Sequence, residues 1–244
     1  MTKIAWADQT LNFYTWNCHK VSEGCKNCYM MTLAKRHGQD PVGIPRWRDN
    51  AMAEYRRLKP GEVVFINSMS DTYHPAVPPD RIQNIHTLVA QKPLVTFLLL
   101  TKRPERALEL APQLKWPTNL FLGVSVEMGK YLSRIDTLLQ IPAAGYFASV
   151  EPLLEPLPGL YPYLDKLNWV ILGGESGAGH RAFDKQWARQ IRDMCIKHNV
   201  PFLFKQGSAF SPGQDRILDG RVWDESPFAL PVAQHDTKQL SLFD

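Results

Sequence analysis

The sequence predicts an α/β protein whose fold is a partial or full β/α barrel of the TIM type. Two observations predict this class: short apolar runs recur along the chain, and helix-like segments separate them. Continuous apolar runs of this length are typical of parallel strands that are buried on both faces. Strands that alternate with helices favour a β/α barrel. A doubly wound open sheet is the alternative, because it shows the same alternation.

Seven strands are expected. The first lies within residues 10–17, where the apolar pattern is weakest. The other six coincide with the apolar runs, at residues 62–67, 94–101, 119–126, 145–150, 168–174 and 201–206. Each run has the length of a single strand, so the seven together are enough for a partial or full barrel.

Four helices are expected between these strands, at residues 80–91, 104–114, 130–140 and 185–198. Asp80 is a suitable N-cap, and Pro104 suits a first helical turn. Residues 1–226 are therefore expected to form one barrel domain. Residues 227–244, where the pattern stops, are expected to be a flexible tail.

The composition is that of a globular protein, with 244 residues of which 44% are hydrophobic and 21% charged. No stretch approaches the roughly 18 apolar residues of a membrane helix. The first residues lack the apolar core of a secretory signal. We therefore expect a cytoplasmic protein that does not bind membranes.

Positive charge is concentrated in one part of the chain. Residues 18–60 contain nine Lys or Arg and four Asp or Glu, against a net charge of +4 for the whole chain. Such a local excess is suited to a phosphate backbone, although a solvated basic face has the same composition.

Three of the four cysteines, Cys18, Cys25 and Cys28, fall within eleven residues, whereas Cys195 stands alone in a helical segment. A tight cysteine cluster in a reducing compartment more often binds metal than forms disulfides. A lone helical cysteine is usually a small buried hydrophobe. We therefore take the first three as metal ligands.

Three thiolates on one loop can bind three irons of a [4Fe-4S] cubane and leave the fourth iron open. In radical SAM enzymes S-adenosylmethionine chelates that open iron, and one electron splits its sulfonium to give a radical that removes a hydrogen atom. The usual spacing there is C-x₃-C-x₂-C with an aromatic before the last cysteine. Here the spacing is C-x₆-C-x₂-C, Asn27 precedes Cys28, and Tyr29 follows it. A zinc site that adds His19 or a distant histidine, or three unligated thiols, remain alternatives.

Polar residues follow most of the predicted strands. The carboxyl ends of barrel strands face the active site, so these residues predict a lined pocket there. Candidates for contacts with S-adenosylmethionine or substrate are Asn67, Ser68, Ser125, Glu127, Ser149 and Glu151. Lys102, Arg103 and Lys205 are expected to neutralise a phosphate or carboxylate, and Tyr29 to stack near an adenine.

The segment Gly173-Gly174-Glu175 resembles the GGE motif that holds the amino group of S-adenosylmethionine in radical SAM enzymes. There the motif normally follows the second strand, whereas here it follows the sixth. Glu175 is therefore expected in a loop at the mouth of the barrel, as a further contact with the cofactor. The two glycines permit close approach of the backbone to a ligand.

Nine segments carry a resemblance to a known family, and they span most of the chain. They are residues 4–8, 18–29, 67–71, 100–106, 123–127, 149–154, 169–177, 201–206 and 220–225. The chain resembles a phage- and bacteria-encoded family of unknown function with a three-cysteine motif, which is considered radical-SAM-like and similar to spore photoproduct lyase. The resemblance implies a cluster-bearing, radical-SAM-like barrel, but no substrate.

The end of the chain contains a second motif, Gln239-Leu240-Ser241-Leu242-Phe243. It resembles the pentapeptide by which bacterial DNA polymerases and repair factors bind the replication sliding clamp. In that binding mode the leucines and the phenylalanine enter an apolar groove and the glutamine fixes the register. The sliding clamp is therefore an expected partner; a tail that folds back on the core is the alternative.

Together these features predict a radical SAM [4Fe-4S] enzyme that acts on DNA or a nucleotide, either in lesion repair or in base modification. It would need an electron donor. One alternative is a non-catalytic, metal-stabilised module of phage origin that docks on the clamp. Another is an enzyme of small nucleotides or tRNA whose tail matches the clamp motif by chance.

Overall fold

The structure is a computed structural model, and it describes residues 4–228. Seven parallel strands form its main sheet, which curls into a half-barrel flanked by helices. They are β1 (Gln9–Leu11), β2 (Val63–Ile66), β3 (Thr96–Thr101), β4 (Leu120–Ser125), β5 (Gly145–Val150), β6 (Trp169–Gly173) and β7 (Phe202–Gln206). All seven predicted strands are confirmed, although β1 begins one residue earlier than expected.

The strand order in the sheet is the order along the chain, from β1 at one edge to β7 at the other. A doubly wound sheet would reverse its order at a switch point, so that alternative is wrong. Among the described strands β1 and β7 do not pair with each other. The architecture is therefore a partial β/α barrel.

Six α-helices surround the sheet. They are α1 (Tyr29–Arg36), α2 (Ala51–Arg56), α3 (Pro79–Ala90), α4 (Pro104–Leu110), α5 (Ser133–Leu138) and α6 (Lys185–Lys197). The last four confirm the predicted helices: α3 is shifted by one residue toward the N-terminus, and α4, α5 and α6 are shorter than expected. Asp80 is not the N-cap of α3, because Pro78 holds that position and Asp80 lies in the first turn. Its carboxylate there still faces the positive end of the helix dipole.

Smaller elements connect or follow the strands. A 3₁₀ helix, Pro158–Lys166, connects β5 to β6 in place of an α-helix. Strands β8 (Ile217–Leu218) and β9 (Arg221–Val222) form a hairpin. Its two turn residues, Asp219 and Gly220, have φ of 53° and 77°, as a tight turn of the I′ type requires.

Aromatic residues fill the half-barrel near the amino ends of the strands. Trp6, which precedes β1, lies with its ring centroid 4.4 Å from Phe65, 6.1 Å from Phe147 and 6.2 Å from Trp169. Phe228 packs edge-on against Trp169 at 5.9 Å. This packing occupies the amino end of the interior, so the space that remains lies toward the carboxyl ends of the strands.

Among the described residues, no helix is both long and apolar enough to cross a bilayer.

Candidate functional site

The long connection from β1 to α1 carries the three clustered cysteines. Cys25 ends a short 3₁₀ helix, Glu23–Cys25, and Cys28 is the N-cap of α1. We call residues 18–28 the cysteine loop. Its three cysteines are free thiols, and all of them line one cavity of about 230 Å³ at the carboxyl ends of the strands.

Polar residues at the carboxyl ends of the strands line the same cavity. Every residue that the sequence singled out for the cofactor, the metal or the substrate lines it, except Glu127. This agrees with the rule that the carboxyl ends of parallel barrel strands share one face. The tail residues, Gln239, Leu240, Leu242 and Phe243, lie outside the described part of the chain, as does most of the predicted extension 227–244.

Glu127 lies beneath the cavity wall and is fully buried. Its carboxylate pairs with Lys102 and, at 2.9 Å, with Arg134, and it accepts a hydrogen bond of 2.8 Å from Ser22 Oγ. A Cβ at Gly24 would lie 2.5 Å from Glu127 Cγ, closer than real Cβ atoms come to their neighbours. Only glycine therefore lets the cysteine loop pack this closely on Glu127.

A second ion pair holds the other end of the cysteine loop. Arg103 donates to Asp71 Oδ2 at 2.9 Å and to the carbonyl of His19 at 3.0 Å, and its Nη1 lies 3.8 Å from Cys18 Sγ. Asp71 is fixed in turn by Thr101 Oγ1, at 2.8 Å. The sequence placed Asp71 in a polar strand end but did not identify it as a site residue.

The third cation of the cavity, Lys205, pairs with Glu151 at 3.0 Å. Ser149 Oγ donates to the second carboxylate oxygen of Glu151, at 3.2 Å. Lys102, Arg103 and Lys205 were all expected to neutralise a phosphate or carboxylate. Each of them has a carboxylate partner within the protein itself.

The loop after β6 contacts the cysteine loop. The carboxylate of Glu175 accepts hydrogen bonds from Asn27 Nδ2 at 2.9 Å and from Arg181, through its backbone N at 2.8 Å and its Nε at 3.0 Å. Asn27 also donates to the carbonyl of Gly179 at 2.7 Å, and Arg181 to that of Glu23 at 3.0 Å. The sequence gave no signal for Arg181, because 158 residues separate it from Glu23 along the chain and only the fold brings the two into contact.

Two candidates at the end of β2 have structural contacts. Asn67 has a φ of 55°, in the left-handed region that asparagine tolerates. Its Oδ1 accepts from the backbone of Phe13 at 2.8 Å and its Nδ2 donates to Thr72 Oγ1 at 2.8 Å. The hydroxyl of Tyr29 donates to the carbonyl of Ser68 at 2.7 Å, so it ties the start of α1 to this strand end.

His19, the proposed fourth ligand of a zinc site, contacts another histidine. Its Nδ1 lies 2.7 Å from Nε2 of His74, and the two rings stack at 4.9 Å. Within residues 4–228 no group of three or more His, Cys, Asp or Glu side chains is spaced to hold a single metal ion.

The three thiols have different acidities. Burial raises the pKa of Cys18 to about 11, and burial also raises that of Cys28. Burial acts in the same direction on Cys25, but the Lys102 ammonium and hydrogen bonds from Val21 and Ser22 outweigh it and lower the pKa of this thiol. Since the thiolate is the metal-binding form, Cys25 is the thiol most ready to ligate.

Lys102 has a lowered pKa, about 8, because it is buried. The fourth cysteine, Cys195, is fully buried in α6 and does not line the cavity, as expected.

Comparisons with known proteins give one finding. A protein-family model described as "Protein of unknown function (DUF5131)" matches residues 1–227. No curated protein and no solved structure matches the chain.

Proposed function

Since the chain belongs to the DUF5131 family, whose description assigns no function, we propose from its own residues that it is a radical SAM enzyme with a [4Fe-4S] cluster that acts on DNA or a nucleotide. One observation carries the proposal: three free cysteines of a single loop open into the same cavity as the polar carboxyl ends of the barrel strands. Cofactor chemistry in β/α barrels takes place at this face.

The donor set fits a [4Fe-4S] cluster. Iron–sulfur clusters are held by cysteine thiolates, and Cys18, Cys25 and Cys28 are the three thiols at this cavity. A fourth cysteine is not at the site, since Cys195 is buried in α6. Three thiolates would leave one iron without a protein ligand. When bound, such a cluster supplies the electron that cleaves the sulfonium of S-adenosylmethionine.

The protein's own residues would hold the loop and line the cofactor site. Lys102 and Arg103 each contact or approach the cysteine loop, so they would also offset the negative charge of the thiolates. Ser68, Ser125 and Ser149 offer neutral hydroxyls at the cavity wall for the polar groups of S-adenosylmethionine.

Glu175 would act differently from the sequence-based expectation. Its carboxylate already accepts hydrogen bonds from Asn27 and Arg181. We therefore assign it to the support of the cysteine loop, while the backbone of Gly174, which also lines the cavity, remains a candidate for contact with the cofactor.

The proposed tether to the sliding clamp rests on the sequence of residues 239–243 alone. It agrees with a DNA substrate, because the clamp encircles replicating DNA. The basic composition of residues 18–60 agrees with the same class of substrate.

Electron paramagnetic resonance of the anaerobically reconstituted, reduced protein tests the proposal. We expect the signal of a reduced cubane that changes when S-adenosylmethionine is added, because the cofactor then binds the open iron. Cys25→Ala should abolish the signal, whereas the matched control Cys195→Ala should keep it. A signal that S-adenosylmethionine leaves unchanged would contradict the radical SAM proposal.

A further inference from the structure

The cavity offers no free positive charge among the described residues that line it. Each of its lysines and arginines is paired with a carboxylate of the protein. The pairs are Lys102 with Glu127, Arg103 with Asp71, and Lys205 with Glu151. The remaining acidic group, Glu175, is paired with Arg181. The positive and negative side chains that line the cavity are therefore balanced.

The paired cations leave the interior of the cavity without a free positive group that could bind a phosphate. Trp6, Phe65 and Leu100 line the cavity together with serine hydroxyls. Such a wall suits an uncharged, partly apolar part of a substrate.

Free positive charge lies instead in the segment that surrounds the cysteines. Lys20, Lys26, Lys35, Arg36 and Arg46 are all exposed, and we call these five residues the basic rim. Within residues 4–228 no carboxylate pairs with any of them. The Lys20 ammonium donates only to the carbonyl of Lys26, at 3.0 Å.

One nearby acid is neutralised and does not offset the rim. Glu23 is paired with Lys130 and accepts a hydrogen bond from Tyr131. The basic rim therefore keeps an excess of positive charge.

Several contacts place the basic rim beside the cavity. Lys20 and Lys26 belong to the cysteine loop itself. The backbone N–H of Cys18 donates to the carbonyl of Pro41 at 2.9 Å, and that of Thr15 donates to Arg46 at 2.8 Å, so residues 41–46 run alongside the start of the loop. Helix α1 begins next to Cys28 and has eight residues, which places Lys35 and Arg36 about 10–12 Å along its axis.

We propose that the substrate is a polynucleotide strand whose phosphates lie on the basic rim while one uncharged base enters the cavity. The separation of charge carries this inference: the cations outside are free and those inside are paired. A free mononucleotide would make few contacts with the rim, whereas a strand contacts it over several phosphates. The inference deepens the proposed function and rests on it for the cavity as the place of reaction.

Fluorescence anisotropy tests the proposal with labelled thymidylate and uridylate oligomers of about 20 nucleotides, which exceed a typical single-strand site. Lys35→Gln with Arg36→Gln removes two charges from the basic rim. The control, Arg57→Gln with Lys59→Gln, also removes one lysine and one arginine. These two lie near the amino ends of the strands, because the backbone N–H of Lys59 donates a hydrogen bond to Glu62, which directly precedes β2. The two oligomers compare a DNA strand with an RNA strand.

The expected result is several-fold weaker binding in the rim variant and unchanged binding in the control. The slope of log affinity against log salt should flatten by about 1.4 in the rim variant, since each phosphate contact on a single strand contributes about 0.7. Equal effects of the two variants would overturn the proposal. Thymidine monophosphate or polyglutamate competing as well as the unlabelled oligomer would also overturn it.

The binding experiment and the spectroscopic experiment test the two proposals independently. Anisotropy on the purified, unreduced protein requires no radical chemistry. If the oligomers do not bind but S-adenosylmethionine still changes the cluster signal, the proposed polynucleotide substrate is wrong and the radical SAM proposal stands. If the oligomers bind through the basic rim but no cluster signal appears, the polynucleotide site stands and the radical mechanism is wrong.

Discussion

Glu127 is the residue on which two cations and the cysteine loop depend. It is fully buried, pairs with Lys102 and Arg134, and accepts a hydrogen bond from Ser22. A buried carboxylate with several donors is stable only while all of them are present, because the loss of one partner leaves a desolvated charge behind. Although Glu127 does not line the cavity, it controls the position of residues that do.

Replacement of Glu127 by Gln should therefore destabilise the protein. Gln keeps the shape of the side chain but leaves Lys102 and Arg134 without their counter-charge. We expect a loss of about 3 kcal/mol in the free energy of unfolding and a lower iron content after reconstitution. Urea unfolding and iron analysis check this. Glu109→Gln, at an exposed position of α4, is the control, and equal stability losses in both variants would contradict the role of Glu127.

His86 makes the fold sensitive to acid. It is fully buried in α3, between the Tyr73 hydroxyl at 3.1 Å and the carbonyl of Lys115 at 2.6 Å, and burial lowers its pKa from 6.5 to about 4. Since the unfolded chain binds the proton more tightly, the stabilising contribution is complete above pH 6.5. It is lost as the pH falls toward 4.

The loss of stability from His86 should be on the order of 3 kcal/mol over this range. Unfolding of the protein and of His86→Gln at a series of pH values measures it. The variant should be less stable near neutral pH, but its stability should fall less steeply between pH 6.5 and 4. Parallel pH profiles for the two proteins would show that His86 is not the titrating group.

At the scale of elements, continuous apolar runs were sufficient to predict the seven strands, because strands buried on both faces leave a direct signature in the sequence. Helices α1 and α2 were missed. Each has only two buried residues, Met30 and Ala34 in α1, and Ala51 and Tyr55 in α2. Each is also shorter than the window of about 11 residues over which an apolar period is recognised.

For the candidate site, the sequence predicted which residues meet at the carboxyl ends of the strands, but not which side chains pair there. Strand-end residues meet because parallel strands place their carboxyl ends on one face, which is a property of topology. The pairing of Lys205 with Glu151, and of Asn27 with Glu175, depends instead on side-chain geometry between distant segments. A single sequence contains no record of such contacts, so the neutral charge of the cavity emerged only from the structure.

The loop after β6 and the cysteine loop should behave as one mechanical unit. Arg181→Gln removes the guanidinium that donates to Glu175 and to the carbonyl of Glu23. We expect faster hydrogen exchange in residues 22–28 and 175–181 together, because the contact between the two segments is weakened. Arg189→Gln, which breaks an exposed pair with Asp219, is the control. Faster exchange in one segment alone would contradict the coupling.

At the scale of the whole molecule, the half-barrel has two different ends. Trp6 and Phe228 fill the amino end with aromatic packing. The carboxyl end carries the cavity, the cysteine loop and the basic rim. The aromatic packing and the candidate site are thus separated along the barrel axis, as in other β/α barrels.

The tail motif predicts that the molecule binds the bacterial sliding clamp. Leu242→Ala with Phe243→Ala should abolish binding to immobilised clamp, because these two side chains supply most of the apolar anchor. Ser241→Ala, in the same pentapeptide, should bind as the unchanged protein does. Binding that survives the double substitution would show that residues 239–243 are not the clamp-binding peptide.

The proposed radical chemistry depends on an iron–sulfur cluster that Cys18, Cys25 and Cys28 hold at the mouth of the barrel. The iron, sulfide and zinc content of the anaerobically purified and reconstituted protein tests this directly. We expect about four iron atoms and four sulfide ions per chain, which are lost in Cys25→Ala and retained in Cys195→Ala. One zinc ion per chain with no iron or sulfide would contradict this expectation.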